Sequence, residues 1–260
     1  FPAITYQDIF YTNRDKNIMP TTDVYSVKIP YEGVAVTSDA FDQQNPRGGT
    51  QKIVFEDNSR GNWDTAVYDE SLNSVRIITT NAADQKNPDI FQNTIVYEDN
   101  GQGISQISGY NLTNQQFFIL PPTLGNQYKP TIASNYLVWE THQTNKVGLA
   151  WYDFNKPLGV NVLLPNTGTT SLPKVDIIGY AVYESTYNGN KDIFRMQLGN
   201  LASITMLTTQ GADQLNPDYD GSNIVWEDLR NGTSDIYGLI NGVEKPIETH
   251  PSFQMNPSVQ

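Results

Sequence analysis

A proline recurs along this 260-residue chain at a nearly constant spacing of 44, 42, 42, 43, 44 and 40 residues. The recurring prolines are Pro2, Pro46, Pro88, Pro130, Pro173, Pro217 and Pro257. An apolar run follows each of the first six, beginning seven residues later, or eight in the fifth repeat: Ile9-Phe10-Tyr11, Ile53-Val54-Phe55, Ile95-Val96-Tyr97, Leu137-Val138-Trp139, Ala181-Val182-Tyr183 and Ile224-Val225-Trp226. A fixed period of this length restricts the chain to an array of similar units.

Each repeat contains four short segments with strand character, which we call strands a to d. Strand a contains the marker proline, strand b is the apolar run, strand c has the form of Asp235-Ile236-Tyr237, and strand d resembles Ile204–Leu207. These segments are β-branched or aromatic, and Gly, Asn, Asp and Pro separate them. No window keeps a helical period. The pattern therefore predicts an all-β fold, a six-bladed β-propeller with four antiparallel strands per blade.

The repeats predict a single domain over residues 1–260. The expected blades are 1–40, 41–82, 83–124, 125–167, 168–211 and 212–250, and residues 251–260 form an extra closing or exchanged strand. Within each repeat we expect the proline to be the first residue of strand a, where its missing N–H does no harm. The acids that close strand b are expected to be structural: Glu56, Glu98, Glu140, Glu184 and Glu227.

The sixth repeat carries the clearest family resemblance. Its Ile224-Val-Trp-Glu-Asp228 strand, Arg230-Asn-Gly232 turn and Asp235-Ile-Tyr237 strand resemble the repeats of TolB-like six-bladed β-propellers, including those of secreted and cell-surface proteins of archaea and bacteria. The resemblance covers essentially the whole chain. It implies a fold but little about function, because propellers carry unrelated activities.

The composition limits the classes of binding partner and of chemistry open to this protein. The chain has 16 Lys plus Arg against 28 Asp plus Glu, and a net charge of −12 disfavours nucleic acid and anionic lipid. Without cysteine, thiol catalysis, Cys-ligated zinc and disulfides are excluded. No apolar stretch reaches membrane-spanning length. Abundant Asn, Gln, Thr and Tyr favour a secreted or cell-surface protein, whose start at Phe1 fits a removed leader or a fragment.

Catalytic motifs are missing from the sequence. Only His142 and His250 are present, and we expect both to be exposed turn residues. The repeated acids are spread over successive blades, whereas a glycosidase needs two carboxylates across one cleft. We therefore predict no enzymatic activity, no catalytic residue and no cofactor. A polysaccharide lyase or hydrolase is the least favoured alternative, and a glycan- or peptide-binding module, with Trp63 as an exposed stacking residue, is the main one.

No metal site is predicted, although hard oxygens at turn spacing suit Ca²⁺. The candidates for Ca²⁺ are Asp57, Asp64, Asp228 and Asp235. Two Asn-x-Thr sequons make Asn111 and Asn231 glycosylation candidates.

The chain has one strand a too many. Phe1-Pro2-Ala3-Ile4 is correctly spaced for the first blade, yet Asn256-Pro257-Ser258-Val259 is an equally good strand a with no blade after it. The surplus strand could lie within its own ring, begin further repeats, or complete a sheet in a neighbouring molecule. We favour a non-enzymatic extracellular structural protein that self-assembles into a filament or tube through these terminal strands.

Overall fold

The computed structural model describes residues 8–13, 22–28, 34–101, 103–157, 159–249, 252–257 and 259. Every regular element assigned in these residues is a β-strand, so the all-β prediction is confirmed. The same residues include no helix long and apolar enough to cross a membrane. The chain divides into two compact units, Phe1–Leu120 and Pro121–Gln260.

The N-terminal unit contains three antiparallel sheets in chain order. The first has β1 (Asp8–Asn13), β2 (Asp23–Lys28) and β3 (Val34–Ala35). The second has β4 (Gln43–Gly49), β5 (Lys52–Asp57), β6 (Asp64–Asp69) and β7 (Ser74–Ile77). The third has β8 (Gln85–Phe91), β9 (Thr94–Asp99), β10 (Gln106–Asn111) and β11 (Gln116–Ile119). Each strand pairs antiparallel with its neighbour in sequence, so each of the three sheets is a β-meander.

The C-terminal unit contains three antiparallel sheets of four strands each. Its first sheet has β12 (Asn126–Ala133), β13 (Tyr136–Gln143), β14 (Lys146–Asp153) and β15 (Asn161–Leu163). The next has β16 (Thr170–Val175), β17 (Tyr180–Ser185), β18 (Asp192–Gln197) and β19 (Asn200–Met206). The last has β20 (Gln214–Tyr219), β21 (Ile224–Asp228), β22 (Asp235–Ile240) and β23 (Val243–Glu248).

The predicted number of four-stranded blades is wrong. Five sheets have four strands in the order a-b-c-d, whereas the first sheet has three strands in the described residues. Its β1 contains the apolar run of the first repeat, so β1, β2 and β3 take the places of strands b, c and d. The segment that the sequence assigns as its strand a, Phe1-Pro2-Ala3-Ile4, lies outside the described residues.

The core of each unit lies between neighbouring sheets, on both faces of the b strands. In the N-terminal unit, Val54 of β5 and Ile95 of β9 belong to one buried cluster. In the C-terminal unit, Val182 of β17 clusters with Ile224 and Trp226 of β21. A strand covered on both faces needs apolar residues at every position, which explains the continuous apolar runs in the sequence.

Candidate assembly site

The marker prolines lie inside strand a rather than at its first residue, which corrects the expectation from sequence. In all five four-stranded sheets the a–b register shifts at the proline, forming a β-bulge. The residue before the proline has a positive φ of 48–53° at Asn45, Asn87, Lys129, Leu172 and Asn216. Asn suits this left-handed backbone better than most residues, and three of the five positions are Asn. Strand a tolerates the proline because it is an edge strand with a bulge.

The glutamate that closes strand b clamps the bulge of the next sheet. Oε1 of Glu56 accepts the backbone N–H of Asn87 at 2.7 Å. The same bond joins Glu140 to Leu172 at 2.9 Å and Glu184 to Asn216 at 3.0 Å. These carboxylates are buried, with Glu56 at 0% exposure. Their structural role in joining successive repeats is the one expected from sequence.

A second contact joins sheets at the residue before strand c. The N–H of Gln85 donates to the carbonyl of Trp63 at 2.6 Å, and the N–H of Trp63 donates to Asp84 Oδ1 at 3.0 Å. Lys191 makes the same two contacts with Gln214 and Asp213, at 2.8 and 2.9 Å. The strands β8 and β20 are therefore each fixed at two points to the sheet before them.

The C-terminal segment, residues 252–259, makes these contacts with the β20–β23 sheet. Asn256 has φ 55°, and its N–H donates to Glu227 Oε1 at 2.6 Å. The N–H of Gln254 donates to the carbonyl of Ser234, the residue before β22, at 2.9 Å. Farther along, the N–H of Val259 donates to Asp218 Oδ2 at 2.9 Å. The segment is therefore seated as the strand a of a further blade.

The C-terminal segment differs from the other five a strands in its exposed side chains. The sheets of the described chain do not include it. Phe253 is 70% exposed and Met255 is 63% exposed. In the complete sheets a Gln three residues before the proline is fully buried, as Gln85 and Gln214 are, whereas Gln254 at this position is only partly buried. Of the predicted assembly residues, Asn256, Pro257 and Val259 lie in this segment, whereas Phe1, Pro2, Ala3, Ile4 and Ser258 lie outside the described residues.

The four Ca²⁺ candidates are engaged with their own turns. Asp57 accepts the N–H of Ser59 at 2.8 Å, and Asp235 accepts the amide of Asn231 at 2.7 Å. Asp228 is bound by Arg230, as the interpretation of this turn as structural predicts. Among the described residues no group of three or more acidic or histidine side chains is arranged to hold a metal ion.

The aspartate that opens strand c takes part in a relay that sequence analysis missed. Thr79 Oγ1 donates to Asp64 Oδ1 at 3.1 Å and accepts the N–H of Thr65 at 2.8 Å. Thr208 links Asp192 to the N–H of Ile193 in the same way, at 3.2 and 2.9 Å. The available signal was a Thr about 15 residues after the Asp in both repeats.

We expect Asp192→Asn to raise the free energy of unfolding at pH 7. Burial raises the pKa of the Asp64 and Asp192 carboxyls above the usual value, because the charged form is desolvated. An amide keeps the acceptor for Thr208 without the charge, so the gain should be about 1 kcal/mol. A carboxyl whose pKa is raised in the folded protein contributes stability below its unfolded pKa and loses that contribution as pH rises. The stability gained by Asp192→Asn should therefore vanish below about pH 4, where the native carboxyl is protonated. Urea unfolding at pH 7 and 3.5 measures this, and equal effects at both values would contradict it.

The remaining candidates lie in different parts of the fold. His142 is in β13 rather than a turn, 3.1 Å from Glu140 Oε2, and His250 lies outside the described residues. Trp63, expected to be exposed, is only half-exposed. Asn111 accepts the N–H of Thr113 at 2.9 Å in the turn after β10, and exposed Asn231 donates to Asp235, so glycosylation of either stays a prediction.

Comparison with known proteins identifies the fold. No protein-family model matches the sequence, and no curated protein matches it significantly. TolB from Acinetobacter baumannii matches with a TM-score of 0.69 and 12% identity, over 96% of this chain and 66% of that one. A putative TolB from Agrobacterium tumefaciens matches with a TM-score of 0.63 and 11% identity, over 83% of each chain. The chain has a TolB-like β-propeller fold.

The TolB-like fold is shared with larger proteins. A prolyl endopeptidase structure matches with a TM-score of 0.71 and 12% identity, over 95% of this chain but 42% of that one. The chain thus spans just under two thirds of Acinetobacter TolB and less than half of the endopeptidase. At these identities the likeness concerns the fold alone, a propeller with four antiparallel strands per blade, and the function must be argued from the site.

Proposed function

We propose that this protein is a non-enzymatic extracellular structural protein that self-assembles through its C-terminal segment. One observation carries the proposal. Asn256 and Gln254 make the two contacts that fix β8 and β20 to the sheets before them, yet no described sheet includes this C-terminal segment. A segment that is held in position but belongs to no described sheet is suited to β-strand addition, in which backbone hydrogen bonds join two molecules.

Exposed apolar side chains supply a driving force for that addition. Phe253 and Met255 are 70% and 63% exposed. Full burial of one such side chain is worth about 1.5–3 kcal/mol. Because association also costs translational and rotational freedom, the backbone hydrogen bonds of the added strand must supply part of the binding free energy.

Other features of the chain support a structural rather than a catalytic role. The repeated glutamates are occupied by backbone donors of the next sheet, as Glu56 is by Asn87. A net charge of −12 keeps an extracellular protein soluble and disfavours phosphate-bearing partners. Trp63, the candidate stacking residue for the glycan-binding alternative, is partly buried.

Deleting residues 252–260 tests the proposal. The full chain is expected to form oligomers or filaments whose size grows with concentration, and the truncated chain is expected to remain monomeric with an unchanged β-sheet circular dichroism spectrum. Val243→Ser is the matched control, because Val243 is 63% exposed on β23 and outside the segment. Light scattering and negative-stain electron microscopy measure the outcome. A full chain that stays monomeric at high concentration would overturn self-assembly.

A further inference from the structure

The five complete sheets share one register between strands a and b. The residue two before the proline pairs with the closing glutamate, as Gln44 does with Glu56 and Leu215 with Glu227. The residue two after the proline pairs with the first residue of the apolar run, as Ile90 does with Ile95. The other two sheets follow the same rule: Tyr128↔Glu140, Ile132↔Leu137, Ser171↔Glu184 and Val175↔Ala181. The register is therefore a property of the repeat.

The first sheet offers the complementary edge. In the other sheets strand b lies between strands a and c, but β1 pairs only with β2 in the described residues. Its sequence contains the run Ile9-Phe10-Tyr11, followed by Thr12 at the position of the closing glutamate. Among the described sheets, β1 alone is a strand b with an edge that no strand a covers.

We propose that the C-terminal segment of one molecule pairs antiparallel with β1 of a second copy, with Met255 opposite Thr12 and Val259 opposite Ile9. This inference rests on the proposed self-assembly and names its partner strand. The shared register places these residues, because Met255 is two before Pro257 and Val259 is two after it. The pairing would give the second copy its sixth four-stranded blade.

The residues Met255 and Thr12 are compatible with the proposed pairing. In the five complete sheets the residue two before the proline pairs with a glutamate. In one of them this residue is Gln44, whose side-chain amide donates to Glu56 Oε2 at 2.8 Å. At the junction the exposed, apolar Met255 would face the uncharged Thr12. An apolar residue already occupies this position in the chain, as Leu215 does opposite Glu227, so Met255 is compatible with the shared register.

The junction also sets the polarity of the assembly. The donor segment and the acceptor edge are different surfaces, so the contact is heterologous, and each molecule added leaves one of each unused. Such a contact produces a polar filament unless its rotation closes a ring.

Paired cysteines test the register, since the natural chain has no cysteine. Directly opposite residues in an antiparallel pair lie about 4.5–5.5 Å apart, within the roughly 4.4–6.8 Å that a disulfide spans. Met255→Cys protein mixed with Thr12→Cys protein under mild oxidation is expected to give the disulfide-linked heterodimer. The offset control, Met255→Cys with Phe10→Cys, is expected to give several-fold less, because the two positions lie farther apart along β1.

Each outcome of the cross-linking experiment has a separate meaning. A heterodimer that forms equally with Phe10→Cys contradicts the register and leaves self-assembly intact. Filaments without any cross-link to β1 contradict the partner strand alone. Monomers that cross-link only within a Thr12→Cys/Met255→Cys double variant overturn both proposals.

Discussion

Glu56→Ala is expected to lower the free energy of unfolding by about 4 kcal/mol, because it removes a buried carboxylate that accepts three hydrogen bonds. Glu56 is fully buried and binds three groups. Oε1 accepts the N–H of Asn87 and the amide of Asn45, both at 2.7 Å, and Oε2 accepts the amide of Gln44 at 2.8 Å. The substitution therefore breaks the link between the β4–β7 and β8–β11 sheets and the bulge inside β4 together.

Two further glutamate variants, Glu56→Gln and Glu248→Ala, separate the loss of the hydrogen bonds to Glu56 from the loss of a negative charge. Glu56→Gln keeps an acceptor for Asn87, so it should cost about half as much as alanine. Glu248→Ala removes a carboxylate from exposed β23 and should change stability by less than about 0.5 kcal/mol. Urea unfolding followed by tryptophan fluorescence measures all three. A loss below about 1 kcal/mol for Glu56→Ala would show that water replaces the lost acceptor and that the clamp adds little.

Asp228→Asn is expected to cost about 3 kcal/mol at pH 7, because the partly buried Arg230 loses its two-point carboxylate partner and keeps only Glu244, at 2.8 Å. Asp228 is fully buried and accepts the Nε and a terminal nitrogen of Arg230 at 2.8 and 2.6 Å. It also accepts the indole N–H of Trp226 at 3.0 Å. An amide turns one of these acceptors into a donor that faces other donors. Arg230, which lies 4.0 Å over the Tyr237 ring, would lose its main anchor.

The pH dependence of Asp228→Asn has the opposite sign to that of Asp192→Asn. Burial alone would raise the pKa of the Asp228 carboxyl, but hydrogen bonds from Arg230 and Trp226 outweigh it and lower the pKa. A carboxyl whose pKa is lowered in the folded protein contributes to the free energy of unfolding above its unfolded pKa of about 3.9. That contribution is lost as the pH falls through the pKa of the folded protein. The cost of Asp228→Asn should therefore shrink in acid. Unfolding curves at pH 7 and 3 measure it, and a cost that does not change with pH would exclude the ion pair as its source.

The repeat predicted much of the local structure. Strand b could be predicted from the sequence because burial on both faces requires apolar residues throughout, as in Ile224-Val225-Trp226. The buried role of Trp139 and the structural role of Glu140 followed from the same pattern, because a residue repeated in every unit serves the unit.

Other parts of the fold and site depend on contacts between repeats that sequence spacing does not reveal. The marker prolines were expected at the start of strand a, but they lie at a bulge whose N–H binds the preceding sheet. The Asp192–Thr208 relay joins strand c to the loop after strand d. The side-chain amide of Asn190 binds the carbonyl of Ala212 in a similar way, at 2.9 Å. Such bonds require short polar residues, which turns favour for local reasons as well, so composition alone cannot distinguish the two uses.

The amino-acid sequence by itself determined the strands, their spacing and the surplus strand a, because alternation, β-propensity and a fixed period are local properties of the chain. Only the tertiary structure showed that five of the six sheets in the described residues have four strands, and that a C-terminal segment is seated on Glu227 and Ser234. A strand can pair along its backbone with any free edge that fits its register. The backbone groups that make these bonds are the same in every residue except proline, so the choice of edge is made by the arrangement of neighbouring sheets.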